Sequence, residues 1–203
     1  MSTSAVATTD RSDLHTVLVG GTKLGVGTGV AVVAYLGLAR LITAGVFRDG
    51  ILSLLVLAAG VLTSLLPGRL VVARNTEGVA GAAAMGLWGT VVFMAIDIVL
   101  LRPFKAYPWT WDAIGGGSTW WYLPIWWMLG TFLAWMGGML TAGRSARGPA
   151  TLSQMAWPVV VGAGVLAAAG KLFGCPVALP VLVGAGYGVA LTMLVLVSIV
   201  RKD

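Results

Sequence analysis

Asp97 is the one acidic side chain embedded in the long apolar stretches of this sequence. An ionised side chain at membrane depth costs at least about 2.5 to 3.5 kcal/mol on insertion scales, so it should face protein or water and have a partner. The chemistry open to such an acid is either a structural salt bridge or the coupling of proton or cation movement. Asp97 is therefore the first candidate for a functional site.

Two arginines are the candidate partners of Asp97. At 1.5 Å per residue, Arg40 and Asp97 are predicted at nearly the same depth, because the first and third apolar runs cross in the same direction. Arg102 follows just above, and Pro103 ends the helix there. We therefore predict an intramembrane charge group of Asp97, Arg40 and Arg102, serving either as a salt bridge under the outer headgroups or as a proton- or cation-linked site.

The scarcity of histidine and cysteine excludes several other kinds of chemistry. His15 and Cys175 each stand alone in the sequence, so an intramolecular disulfide and a Cys-x-x-Cys pair are ruled out. Haem held by two histidines, copper or zinc clusters and diiron sites need ligands that the chain lacks. The Ser, Thr and Asp residues form no recognisable catalytic constellation. We predict no metal site, no cofactor bound through His or Cys, and no enzymatic activity.

The composition predicts an integral membrane protein. Of its 203 residues, 58% are hydrophobic and 10% are charged, and the mean hydropathy is +0.94. A soluble domain carries about 25% charged residues, which it needs to cover its surface. The net charge of +6 lies in short basic caps between apolar runs, where it meets anionic headgroups and not nucleic acid. The predicted fold class is an all-α, polytopic helical bundle.

Six apolar runs are long enough, or nearly so, to cross the hydrocarbon core. They extend from about Leu24 to Val46, Gly50 to Val72, Gly78 to Leu101, Thr119 to Ala142, Leu152 to about Phe173, and Cys175 to Val200. Only Lys171 and a Gly-Cys-Pro break separate the last two runs, so five transmembrane helices remain possible if these form a re-entrant hairpin. Residues 1–16 form a polar tail, and residues 17–203 form a single transmembrane domain.

The basic residues favour one orientation of the six predicted helices. The side that holds both termini collects eight of them: Arg11, Lys23, Arg69, Arg74, Arg144, Arg147, Arg201 and Lys202. The other side collects five: Arg40, Arg48, Arg102, Lys105 and Lys171. The excess predicts cytoplasmic termini and an outward loop over residues 102–118. We expect the membrane to be the inner membrane of a bacterium.

Aromatic residues concentrate in this loop and in the helix after it. The tryptophans are Trp109, Trp111, Trp120, Trp121, Trp126, Trp127 and Trp135. Tryptophan favours the headgroup level, so an aromatic belt is one interpretation. The other is a surface for a partner subunit, a lipid, a quinone or a pigment ring. A belt accounts less well for Trp126, Trp127 and Trp135, which lie deeper in the fourth helix.

Small residues recur at four-residue spacing on three predicted helices, where they allow helix backbones to approach closely. They are Gly21, Gly25 and Gly29 on the first helix, Gly78, Ala82 and Gly86 on the third, and Gly184 and Gly188 on the sixth. The sequence leaves open whether these faces meet within one chain or between chains.

Two functions fit these features. The first is a non-catalytic membrane subunit that packs on, anchors or scaffolds a larger complex through its small-residue faces and tryptophans. Its partners would be membrane lipids and other subunits or copies of itself. The alternative is a small six-helix transporter or channel for a small solute or ion, as a single chain or a homo-oligomer, with Asp97 and Arg40 as a gating or coupling pair.

Overall fold

The computed structural model describes residues 12–101, 122–145, 148 and 150–200, and this part of the chain is built from helices. The helices are α1 (Leu14–Leu41), α2 (Val46–Leu70), α3 (Thr76–Ile96), α4 (Tyr122–Ser145), α5 (Leu152–Leu172) and α6 (Leu179–Val200), and a π-helix (Asp97–Leu101) extends α3. Six helical spans among the described residues are long and apolar enough to cross a membrane. The predicted all-α membrane bundle of six helices is confirmed.

The first two helices begin earlier than the apolar runs indicate. The side chain of Asp13 accepts hydrogen bonds from the backbone nitrogen of Thr16 at 3.0 Å and from its hydroxyl at 2.7 Å. This cap starts α1 at Leu14, inside the predicted polar tail, and the hydrogen bonds lower the pKa of the Asp13 carboxyl. In α2, Asp49 falls in the first turn, where an acidic residue complements the helix dipole.

The turn between α5 and α6 shows that these are two separate full-length helices. The Cys175 amide donates to the Gly170 carbonyl at 2.9 Å, and the Gly174 amide donates to the Lys171 carbonyl at 3.0 Å. Gly174 has φ +75°, so the turn is a Schellman motif. It delays α6 to Leu179, four residues after its predicted start. With 21 and 22 residues, both helices are long and apolar enough to span, which favours six transmembrane helices over the re-entrant hairpin.

A second Schellman turn ends α2, but here the left-handed position is occupied by valine. Val72 has φ 54°, its amide donates to the Arg69 carbonyl, and the Ala73 amide donates to the Gly68 carbonyl at 2.8 Å. A positive φ is unfavourable for a β-branched residue. The turn nevertheless buries the neighbouring Val71 and Ala73 completely in a cluster with α1 and α3.

The helices pack around α2 and α3. Helix α2 contacts all five other helices, α3 lies between α1 and α4, and α5 packs mainly on α6. The large side chains that are fully buried are apolar, and they include Leu65, Met85, Met155 and Leu191. These residues fill the centre of the described bundle.

An even number of spans returns the chain to the side from which it started. We call this side, where α1 begins and α6 ends, the terminal side, and the opposite side the loop side. Two hydrogen bonds join segments across the terminal side. Ser12 Oγ donates to Glu77 Oε1 at 3.3 Å, and Arg69 Nη1 donates to the Ala150 carbonyl at 2.7 Å.

We predict that Val72→Gly raises the free energy of unfolding by about 1 kcal/mol, because glycine adopts the left-handed conformation without a Cβ clash. Unfolding in mild detergent, followed by circular dichroism, measures the change. Val72→Ala is the matched control, since it removes the methyl groups but keeps Cβ. Equal stability of the glycine and alanine variants would contradict the strain at this turn.

Candidate functional site

Asp97 lies at the loop side of the bundle, where α3 changes into a π-helix. The residue is only 4% exposed, so its carboxyl group is buried. Burial away from lipid is expected of an acid within a membrane span, whether its role is structural or functional. It is the first residue of the π-helix, and it precedes the end of the span by about 6 Å. π-Helical turns recur at functional sites because the extra residue changes which side chains face the neighbouring helices.

Arg40 does not lie at the depth that the sequence indicates. Gly29 of α1 contacts Ile96, so the register of the two helices places Arg40 about 15 Å beyond the level of Asp97. The close contacts of Gly21, Gly25 and Gly29 with α3 set this register. A direct Asp97–Arg40 pair is not supported by this register. Both residues take part in further interactions, so neither is a free charge. Arg102 lies outside the described residues.

A charge pair that the sequence analysis missed lies at the start of α2. Arg48 Nη2 and Asp49 Oδ1 are 3.4 Å apart, and both side chains are about two-thirds buried. The early start of α2 at Val46 brings both residues into the helix. In the sequence, two adjacent charges of opposite sign just before an apolar run could have indicated this pair.

The tryptophans of α4 divide between the interior and the surface. Trp126 is half-buried, and its ring lies edge-to-face against Phe93, with 6.0 Å between the ring centroids and an interplanar angle of 74°. Phe93 lies one helical turn before Asp97 on α3, so Trp126 packs close to the buried acid. Trp127 and Trp135 are exposed. Trp109, Trp111, Trp120 and Trp121 lie outside the described residues.

Trp135 belongs to an exposed face of α4 that we call the α4 outer face. It comprises Ile125, Met128, Phe132 and Trp135, all exposed, at successive spacings of three, four and three residues. This is the a/d spacing by which one helix packs along another. Trp135 is 46% exposed and lies at the middle of the span Pro124–Ser145. Within the described residues its indole N–H makes no hydrogen bond.

Trp88 shows how a tryptophan at mid-membrane is accommodated within this chain. It lies at the middle of the span Thr76–Leu101 and is 37% exposed. Its Nε1 donates to the Thr22 hydroxyl of α1 at 3.1 Å. The polar atom of Trp88 is thereby satisfied by a neighbouring helix, and Trp135 has no equivalent neighbour among the described residues.

The small-residue faces of α1 and α3 meet inside the chain. Gly21, Gly25 and Gly29 lie against α3, where a Cβ on Gly25 would fall 2.7 Å from the Val92 Cβ. On the opposite side of α3, Ala82 and Gly86 lie against Gly138 and Ala134 of α4. Gly78 is buried in the first turn of α3. Gly184 faces Val56 of α2, whereas a Cβ on Gly188 would meet no described atom of another helix within 4 Å.

The centre of the bundle contains a buried hydrogen-bonded group that the sequence analysis also missed. Ser64 Oγ donates to the Gly60 carbonyl at 2.7 Å and lies 2.8 Å from the Tyr187 hydroxyl, which then donates to it. Ser64 and Tyr187 are buried, and Gly60 and Gly137 leave room for the tyrosine ring and the Ser64 backbone. In the sequence, the four-residue spacing of Gly60 and Ser64 could have indicated a serine that bonds back to its own helix beside a small residue.

Metal-ligating residues are sparse in the structure. Among the described residues, no group of three or more His, Cys, Asp or Glu side chains is placed to hold a metal ion. Cys175 is a free thiol in the turn before α6 and is half-buried.

No known protein family, curated protein or solved structure matches this chain. Inferences about its function therefore depend on the packing and environment of its own residues.

We predict opposite effects for two Gly→Ala changes on α1. Gly25→Ala should lower the free energy of unfolding by about 1 to 3 kcal/mol, because its methyl group collides with α3. Gly37→Ala, with open space around it, should be neutral or stabilising, since alanine favours the helix. Thermal unfolding in mild detergent compares them. Equal losses at both positions would show that α1 does not depend on close contact with α3.

Proposed function

We propose that this protein is a non-catalytic integral membrane subunit that packs on, anchors or scaffolds a larger membrane complex. The observation that carries the proposal is Trp135, an exposed tryptophan at the middle of its span. Tryptophan favours the wet membrane boundary, where its N–H finds a partner. In hydrocarbon an unsatisfied polar group is unfavourable. A helix from another chain would supply both the apolar contact and the acceptor.

The α4 outer face indicates what such a partner helix should look like. The three-and-four spacing of Ile125, Met128, Phe132 and Trp135 suits a helix that crosses α4 at about 20°. Its residue opposite Trp135 would be a serine or threonine, or a small residue that exposes a backbone carbonyl. Methionine adapts to irregular partner surfaces, and Met128 is among the most exposed side chains of this helix.

The interior of the bundle supports a packing role over catalysis. Two buried hydroxyls bond within their own helices: Ser53 donates to the Asp49 carbonyl at 2.6 Å and Thr141 to the Gly137 carbonyl at 2.8 Å. A nucleophile needs an adjacent base or metal, and these hydroxyls have neither as a hydrogen-bond partner in the described chain. The proposal includes no cofactor held by His or Cys, and no nucleic acid partner.

The proposed setting is the inner membrane of a bacterium with both termini in the cytoplasm. The excess of arginine and lysine on the terminal side supports this orientation. The partners are lipids and other membrane subunits, or further copies of the chain, and a lipid, quinone or pigment could occupy the tryptophan surface.

The alternative function, a small transporter or channel, is favoured by the burial of Asp97 at the start of a π-helix. Because Arg40 lies well beyond Asp97 along the bundle, Asp97 without Arg40 would be the coupling residue in this alternative. The apolar side chains that fill the bundle centre weigh against an open path through it.

We predict that affinity purification of the full chain in mild detergent recovers a membrane protein partner. Trp135→Ala should reduce that recovery at least about tenfold, as truncation of a central interface tryptophan does. Mass spectrometry with a labelled reference quantifies the partner. Met193→Ala is the control, because Met193 is an exposed apolar residue on α6. Recovery of the chain alone, as a defined homo-oligomer, would contradict the larger complex.

The transporter alternative predicts that Asp97→Asn abolishes solute or ion flux through the protein in liposomes, because the amide cannot ionise. Asp49→Asn is the control, since Asp49 lies on the same side of the bundle in its pair with Arg48. Flux that is unchanged in Asp97→Asn would assign this acid a structural role.

A further inference from the structure

An open groove lies between the end of α4 and the start of α5 on the terminal side. Its volume is about 710 Å³, and Arg144, Ala150, Ser153, Gln154 and Trp157 contribute to its walls. Arg144 is in the last turn of α4, and Ser153 and Gln154 are in the first turn of α5. The groove therefore lies at the end of two membrane-spanning helices, at the level where lipid headgroups meet water.

The polar part of this groove is basic and rich in hydrogen-bond donors. Arg144 is half-buried and makes no hydrogen bond or ion pair within the described chain. Arg69 donates to the carbonyl of Ala150, which brings a second guanidinium to the rim. Gln154 Oε1 accepts from the Thr151 amide at 2.9 Å, so its NH₂ group is left to donate. None of the described residues that line the groove is acidic.

An apolar stripe continues the groove toward the middle of the membrane. Trp157, Val161 and Val165 follow one another at four-residue spacing on α5 and are 69%, 43% and 63% exposed. Residues at this spacing share a helix face, and the stripe is about 12 Å long. A ligand that fits both parts needs an anionic head and an apolar chain.

We infer that this groove binds an anionic phospholipid. Its phosphate lies against Arg144 and the Gln154 amide, with Arg69 adding positive charge from the rim. The lipid backbone lies beside Trp157, and an acyl chain follows Val161 and Val165. Basic pockets between membrane helices on the cytoplasmic side hold anionic headgroups in this way. The site is distinct from the α4 outer face, so it stands whether or not a partner subunit binds there.

Native mass spectrometry of the purified full chain tests the site by titration with phosphatidylglycerol and with phosphatidylcholine of the same acyl chains. The wild type should bind phosphatidylglycerol more tightly. Arg144→Gln should weaken that binding at least about fivefold, the effect of one basic residue near an anionic lipid, and Arg144→Lys should retain most of it. Lys23→Gln is the charge-matched control, because Lys23 is exposed on α1 outside the groove. This variant should bind phosphatidylglycerol as tightly as the wild type does.

Three results would overturn the lipid site. The first is equal binding of both lipids, and the second is equal weakening by Arg144→Gln and Lys23→Gln. The third is inorganic phosphate that binds as tightly as phosphatidylglycerol, which would indicate a site for a free anion. If Arg144→Gln does not fold, phosphatidylglycerol with brominated acyl chains provides a separate test. It should quench the fluorescence of the wild type more than that of Trp157→Phe, and equal quenching would exclude the lipid from the stripe.

Discussion

The close contact of α3 with α1 on one side and α4 on the other is the constraint on which the rest of this bundle depends. Gly25 lies against the backbone of Gly89, and Gly86 lies against Gly130. In lipid, apolar side chains gain little by leaving their surroundings, so helices associate through van der Waals contact and hydrogen bonds that require close approach. The absence of side chains at these glycines allows the contact, and it determines where α1 and α3 stand along one another.

That register has a direct consequence for the charged residues. Because Gly29 lies beside Ile96, Arg40 at the end of α1 extends beyond Asp97. The acid lies one helical turn after Phe93, which packs on Trp126 of α4. The polar groups at the centre of the bundle are satisfied locally, as in the hydrogen bonds from Tyr187 to Ser64 and from Ser64 to Gly60. The groups that remain for other molecules are therefore at the surface, in the α4 outer face and in the groove beside Arg144.

Much of the helical organisation could be predicted from the sequence. Apolar runs of sufficient length located every span, and the four-residue glycine spacing identified the packing faces of α1 and α3. Helix ends were harder, because they depend on single hydrogen bonds: Asp13 begins α1 early, and the left-handed Gly174 delays α6. The candidate site was predictable only in part. The burial of Asp97 follows from its charge and its position within an apolar run. Its neighbours depend on how α1 and α3 align along one another, which the periodicity of the sequence does not specify.

The sequence by itself determined that this protein is a bundle of six apolar helices with an acid, Asp97, inside the third apolar run. It did so because the hydrocarbon core sets the length and polarity of any segment that crosses it. Only the tertiary structure decided that Gly21, Gly25 and Gly29 are used within the chain, that Trp126 packs on Phe93 whereas Trp135 is exposed, and that Arg144 and Trp157 share a groove. Those facts depend on which helices are neighbours and how they are rotated, and backbone contact between small residues controls both.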